Sequence, residues 1–261
     1  MSSTTVTSSD VATREADPDI GRTIIAFEGG ITVHVISHPR DPSRLFAYEV
    51  VFRLAHPRVA AVAAQRPPLH FHPWQEEYIE VLEGRLAVEV DGAERVLGPA
   101  DGEVCVRPWS HHRLYSPAAD GVGEGKGKGK GKEEGEGEGE GEKTRFLLSG
   151  QDADTLFRLD TVFFENWYAY QDRIVVAGEK PDLVQVMSMF DAGGSYLSLP
   201  WWVPFGRTLS RAIGVVVGRW IGGLLGYQPF YRKWTNNWDL ACRKMEMSIF
   251  QRRFADRAKI E

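Results

Sequence analysis

The chain has 261 residues, with 31 Lys and Arg against 36 Asp and Glu, a net charge of −5. Hydrophobic residues make up 43% and aromatics 11%, enough apolar material to exclude global disorder. Two cysteines, Cys105 and Cys242, are too few and too far apart for a disulfide framework or a CxxC redox site, and they fit a reducing, cytoplasmic setting.

Residues 1–20 are polar and lack the apolar core of a secretory signal, so they are expected to form a disordered tail. Thr23 to Phe27 and Ile31 to Ile36 read as strands on either side of the turn signal Glu28-Gly29-Gly30. From Leu45 to Leu54 the pattern alternates, which puts Phe46, Tyr48, Val50, Phe52 and Leu54 on one face. Such a strand lines a barrel or sandwich core, and Phe46, Tyr48, Phe52 and Val88 are the expected pocket residues. Arg85 to Val90 alternates in the same way, Asp91-Gly92 is a hairpin signal, and Asp101-Gly102 reads as a second one. Arg145 to Ser149 resumes an apolar strand. Between them, residues 121–142 repeat Gly, Glu and Lys, a composition that cannot offset its ordering entropy and reads as a loop insertion.

The informative stretch runs from His70 to His112. His70 and His72 are two apart, so on a strand both imidazoles point to one face and Phe71 to the other. Parity separates the two acids that follow. Glu77 shares a face with Ile79 and Val81, and Glu76 with Tyr78, Glu80 and Leu82, so Glu77 is on the better core face. The same argument places His112, in phase with Leu114, inside, and His111, in phase with Arg113 and Tyr115, outside. Three imidazoles and one carboxylate from separate strands suit Fe(II), Mn(II), Ni(II), Cu(II) or Zn(II), and ligand type alone does not choose among them.

The run His70-x-His72-x4-Glu77-x6-Gly84 resembles the first motif of the cupin superfamily, and Asp101 to His112 resembles the second. That resemblance implies a mainly β fold, a cupin-type double-stranded β-helix or jelly-roll barrel over residues 21–150. It also implies His70, His72, Glu77 and His112 as the ligands of one divalent metal ion, and pairing of barrels as a homodimer. The second motif departs from the usual pattern at Asp101-Gly102, whose order is reversed, and at Arg107 and Trp109.

Beyond Gln151 the period becomes helical, so residues 151–261 are expected to form an α-helical extension. Asp160 can cap a helix carrying Phe163, Trp167, Tyr170 and Ile174, and Asp182 another through Phe190; both are expected against the barrel's outer face. Gly193 to Gly206 reads as an irregular connection. Gly214, Gly218, Gly222 and Gly226 recur every four residues, a stripe that permits close helix approach. Arg211 and Arg219 interrupt the apolar run and argue against a simple membrane span. The last expected helix runs from Trp238 to Lys259. Residues 201–261 hold 11 basic and 4 acidic side chains, against 20 and 32 in residues 1–200. A basic, aromatic tail of this kind raises the expectation of peripheral membrane contact through 201–261, and no motif supports nucleic-acid binding.

A barrel with this tail is similar to fungal cupin-domain oxidoreductases of polyketide and other secondary-metabolite clusters. The resemblance implies a metal-dependent oxidoreductase acting on a small organic molecule. A lyase or isomerase using the metal as a Lewis acid, or a non-enzymatic small-molecule-binding cupin, are the alternatives. Glu77 is a candidate proton acceptor and His111 a candidate proton shuttle, the plainer reading of His111 being an exposed strand histidine.

Overall fold

The computed structural model of the chain describes residues 19–117 and 143–258. The expected loop at 121–142 and all but the last two residues of the expected tail at 1–20 lie outside the described residues. Asp19 is already buried, bonded to Arg22 and to Asn236.

Eleven strands are described: β1 (Thr23–Ala26), β2 (Ile31–Val35), β3 (Phe46–Arg53), β4 (His70–Phe71), β5 (Glu77–Glu83), β6 (Leu86–Val90), β7 (Ala93–Leu97), β8 (Glu103–Val106), β9 (His112–Tyr115), β10 (Lys143–Gly150) and β11 (Tyr196–Leu197). They form two antiparallel sheets, in the orders β1-β2-β3-β10-β5-β8 and β11-β4-β9-β6-β7. Alternation decides which face turns inward. Tyr48 lies opposite Leu148, which lies opposite Ile79, and Val50, Phe146 and Val81 form the next row. All six are buried. Cross-strand partners share a face, so these rows put Glu77 inside as well. At the end of that ladder Gly150 sits between Phe46 and Glu77, and a Cβ there would come within 2.5 Å of the Phe46 ring.

Asp91 and Gly92 both have positive φ, +48° and +85°, as a two-residue hairpin matched to strand twist requires. Asp101-Gly102 is not a hairpin. The Asp101 carboxylate accepts from the Gly98 amide, and the turn carries the chain from β7 in one sheet to β8 in the other.

A short helix, α1 (Pro57–Val62), precedes β4. The helices α2 (Thr161–Val175) and α3 (Leu183–Ala192) begin where expected, with the Asp160 carboxylate accepting from Phe163 N and that of Asp182 from Val184 N and Gln185 N. They do not lie on the outer face. Phe164 packs on Phe46 and Tyr48, with ring centroids 5.3 and 4.9 Å apart, and the Tyr48 hydroxyl lies 3.2 Å from Thr161 Oγ1. One continuous core therefore joins the inward strand residues to Phe163, Phe164, Val186, Met189 and Phe190. The reason is that the barrel's inner face is larger than the strands alone can cover, and the aromatic face of α2 fills it. Phe46, Tyr48 and Val88, expected to line a pocket, are thereby sealed into this core, while Phe52 packs partly buried against it.

The connection at 193–206 contains β11, whose two residues pair with β4. The next helix, α4 (Gly206–Leu225), is wound as a π-helix over Gly214–Ile221. Gly214, Gly218 and Gly222 abut Tyr196, the Met187 backbone and Val184 of the neighbouring segment, while Gly226 ends the helix at φ +111°. The last helix, α5 (Trp238–Glu246), is shorter than expected. Its chain doubles back, with Arg257 bonding Asp239 and Glu246 and the Trp238 indole donating to the Asp256 carbonyl.

Candidate metal centre

The site is built where the two sheets face each other. His70 on β4 pairs directly with His112 on β9, and Leu197 of β11 flanks His70 on the other side. His72 follows β4, with its carbonyl accepting from the Trp109 amide at 2.8 Å. The three imidazoles each offer a ligand atom, all within 4.8 Å of one another. Glu77 enters from the opposite sheet, its Oε2 lying 2.7 Å from His112 Nε2 and 3.5 Å from His72 Nε2. The three imidazoles thus form one cluster, and the Glu77 carboxylate meets it at His112 and His72.

Each ring is held by its Nδ1. His70 Nδ1 donates to the Pro68 carbonyl at 3.0 Å and His112 Nδ1 to the Ser110 carbonyl at 3.0 Å. His72 Nδ1 lies 3.0 Å from Ser195 Oγ. With Nδ1 engaged in each ring, Nε2 is the nitrogen turned toward the cluster, where that of His112 meets the Glu77 carboxylate. His72 Nε2 is buried and has no hydrogen-bond partner, an arrangement that is costly unless a further group completes it.

Electrostatics follow from the burial. Burial alone would raise the Glu77 carboxyl, but the hydrogen bond from His112 and the nearness of the His72 ring hold it well below the usual carboxylate range. Burial depresses His70 strongly, helped by the neighbouring imidazoles, and depresses His72 as well. Burial also opposes the charged form of His112, yet the Glu77 hydrogen bond and charge outweigh it, so that imidazole is raised. Neutral His70 and His72 beside an ionised carboxylate are ligands in the protonation state that binds a cation. The cupin fold with this three-histidine cluster fits a metal site.

Aromatic side chains of α2 and α3 pack beside the cluster. Phe190 packs edge-on to His70 with centroids 5.7 Å apart, and Trp167 packs on Phe190 at 4.8 Å. Tyr168, on the same helix, has its phenol pushed up by burial and by the charge of Glu77.

His111 is placed elsewhere. Its Nδ1 lies 2.6 Å from Ser198 Oγ and its ring meets Phe71 edge-on at 5.3 Å, on the face turned away from the histidine cluster. Sequence reasoning missed Ser195, Tyr168 and the Phe190–Trp167 pair. For Ser195 the only available signal was Gly193-Gly194 before it, since Gly194 has φ +64° and a Cβ there would lie 2.3 Å from the Phe157 carbonyl.

A cupin domain family model matches residues 59–120, the stretch that holds all four converging side chains. The chain is 45% identical over 234 residues to the probable oxidoreductase yanE of Aspergillus niger, covering 88% of this chain and 83% of that one. It is 44% identical over 236 residues to the oxidoreductase macE of Penicillium terrestre, covering 88% and 83%. Against the epoxidase atD of Aspergillus terreus the identity is 37% over 190 residues, covering 73% and 53%. At these identities and coverages, and with the barrel and histidine cluster just described, the chain belongs to the cupin-domain oxidoreductase family of these fungal proteins.

Proposed function

We propose that the chain is a metal-dependent oxidoreductase acting on a small organic molecule in fungal secondary metabolism, of polyketide type. The observation that carries the metal dependence is the buried Nε2 of His72, without a hydrogen-bond partner, in a cluster whose His70, His72 and His112 ligand atoms lie within 4.8 Å of one another. The oxidoreductase reading is supported by relatives named as such, and the epoxidase among them favours chemistry on an unsaturated carbon skeleton.

His70, His72 and His112 would hold one divalent ion through Nε2, with Glu77 supplying the fourth ligand. Fe(II) is preferred, with Mn(II), Ni(II), Cu(II) and Zn(II) as the other ions this ligand set accommodates. When bound, the ion supplies Lewis acidity and, if iron, one-electron chemistry with dioxygen. The remaining work falls to the chain. Ser195, Pro68 and Ser110 fix the rings, and Glu77 brings negative charge that offsets part of a divalent charge. Phe190 and Trp167 exclude water from the mouth. Tyr168 keeps its proton on Oη near Glu77, so it can donate a hydrogen bond to a developing oxyanion but cannot act as a base at neutral pH. A cytoplasmic location accords with this reading.

Elemental analysis of the native protein, followed by oxygen uptake with unsaturated aromatic substrates, tests it. Near-stoichiometric metal and uptake lost in His72→Ala are expected. Full turnover by metal-free protein would refute the reading, and full turnover without oxygen would replace it with a lyase or isomerase.

A further inference from the structure

The glycine stripe of α4 and its opposite face serve different purposes. Gly214, Gly218 and Gly222 are buried against the neighbouring segment. Two residues further on, on the other side of the helix, stand Val216, Trp220 and Leu224. Their exposures are 39%, 50% and 59%. At the start of the helix Trp201, Trp202 and Phe205 project with exposures of 95%, 69% and 88%. At its other end Gly223 abuts Phe250, beside the exposed Ile249. Scattered exposed apolar side chains are ordinary, but an apolar face along a helix continued by three exposed aromatics before its first turn is not.

Charge identifies what covers it. Residues 201–238 contain Arg207, Arg211, Arg219, Arg232 and Lys233 and no Asp or Glu. Arg207 and Arg211 are exposed on the first turns of α4, and Arg253 caps its end at the Gly223 and Leu224 carbonyls. Exposed Trp and Phe flanked by Arg match the boundary between acyl chains and anionic headgroups. By length and composition α4 could cross a membrane. Its packing opposes that, because Arg219 forms a two-bond pair with the fully buried Asp191 and the glycine face lies on α3.

We propose that the outward face of α4, with the Trp201–Phe205 loop, seats the protein on an anionic lipid surface. Trp201, Trp202, Phe205 and Trp220 enter the headgroup boundary, Arg207 and Arg211 meet lipid phosphates, and the helix lies in the plane. This is independent of the metal reading, since none of these residues touches the histidine cluster.

The test is flotation of the full chain with vesicles of phosphatidylcholine alone or containing about 30% phosphatidylserine. Binding to the anionic vesicles, about ten-fold weaker to the neutral ones, is expected, as is a loss of about ten-fold in W201S/W202S/F205S. Unchanged melting of this variant shows that it is folded; should it misfold, the single variant Trp220→Ser replaces it and is expected to weaken binding in the same direction. No binding by the wild-type chain, or equal binding by the folded variant, overturns the proposal. So does a concentration-dependent dimer abolished by the same substitutions without vesicle binding, which would make a second copy the occupant.

Discussion

Ser195→Ala removes one oxygen from the support of one ligand. Ser195 is 1% exposed and its Oγ lies 3.0 Å from His72 Nδ1, so no water can readily replace it. Removing the partner of a buried ring nitrogen costs about 1–3 kcal/mol. At about 1.4 kcal/mol per decade, that is roughly a ten- to hundred-fold loss of metal affinity, the range seen when outer-shell partners of ligands are removed. Chelator-competition titrations with Zn(II) on wild type and variant measure it. Ser198→Ala is the control, because Ser198 partners His111 on the opposite face. Affinity within about two-fold of wild type, or an equal loss in both variants, would refute the claim that Ser195 sets the His72 tautomer.

Other consequences can be measured directly. Below about pH 6.5 the unfolded chain protonates every histidine, whereas the fold keeps His70 and His72 neutral, so their contribution is present above that pH and lost on acidification. His112 has the opposite sign, its contribution being lost as pH rises through its raised value, and it offsets one of the two. Metal-free protein should therefore melt lower at pH 5 than at pH 7, and a rise would contradict the assignment. In Gly218→Ala a Cβ would sit 2.5 Å from the Met187 carbonyl group, forcing α3 and α4 apart at about 1–3 kcal/mol. Calorimetry should show its melting point lowered by several degrees, and an unchanged one would mean the helices are not in close contact. Arg219→Met leaves Asp191, which is 0% exposed, without its cation, and should cost about 3–5 kcal/mol in denaturant unfolding.

What the sequence disclosed was what a period of two can carry. Parity separated Glu77 from Glu76 and His112 from His111, because on a strand a one-residue shift reverses the face. A helical period reports only that a face is apolar, not what it packs on. The aromatics of α2 were therefore legible as a face and illegible as the cover of the barrel mouth. β11 left no trace, and Ser195 only the Gly193-Gly194 pair before it, because a two-residue strand in an irregular segment has no periodicity to read. The early end of α5 depends on Arg257 folding back onto Asp239 and Glu246, a contact that helix propensity over Trp238 to Lys259 does not anticipate.

β4 is only two residues long and is clasped by β9 on one side and β11 on the other. The scaffold is consequently not modular. Excising the barrel at Gly150 would leave His70 clasped by β9 alone and His72 without Ser195. Minimisation or chimera-building must therefore carry the chain through at least Leu197.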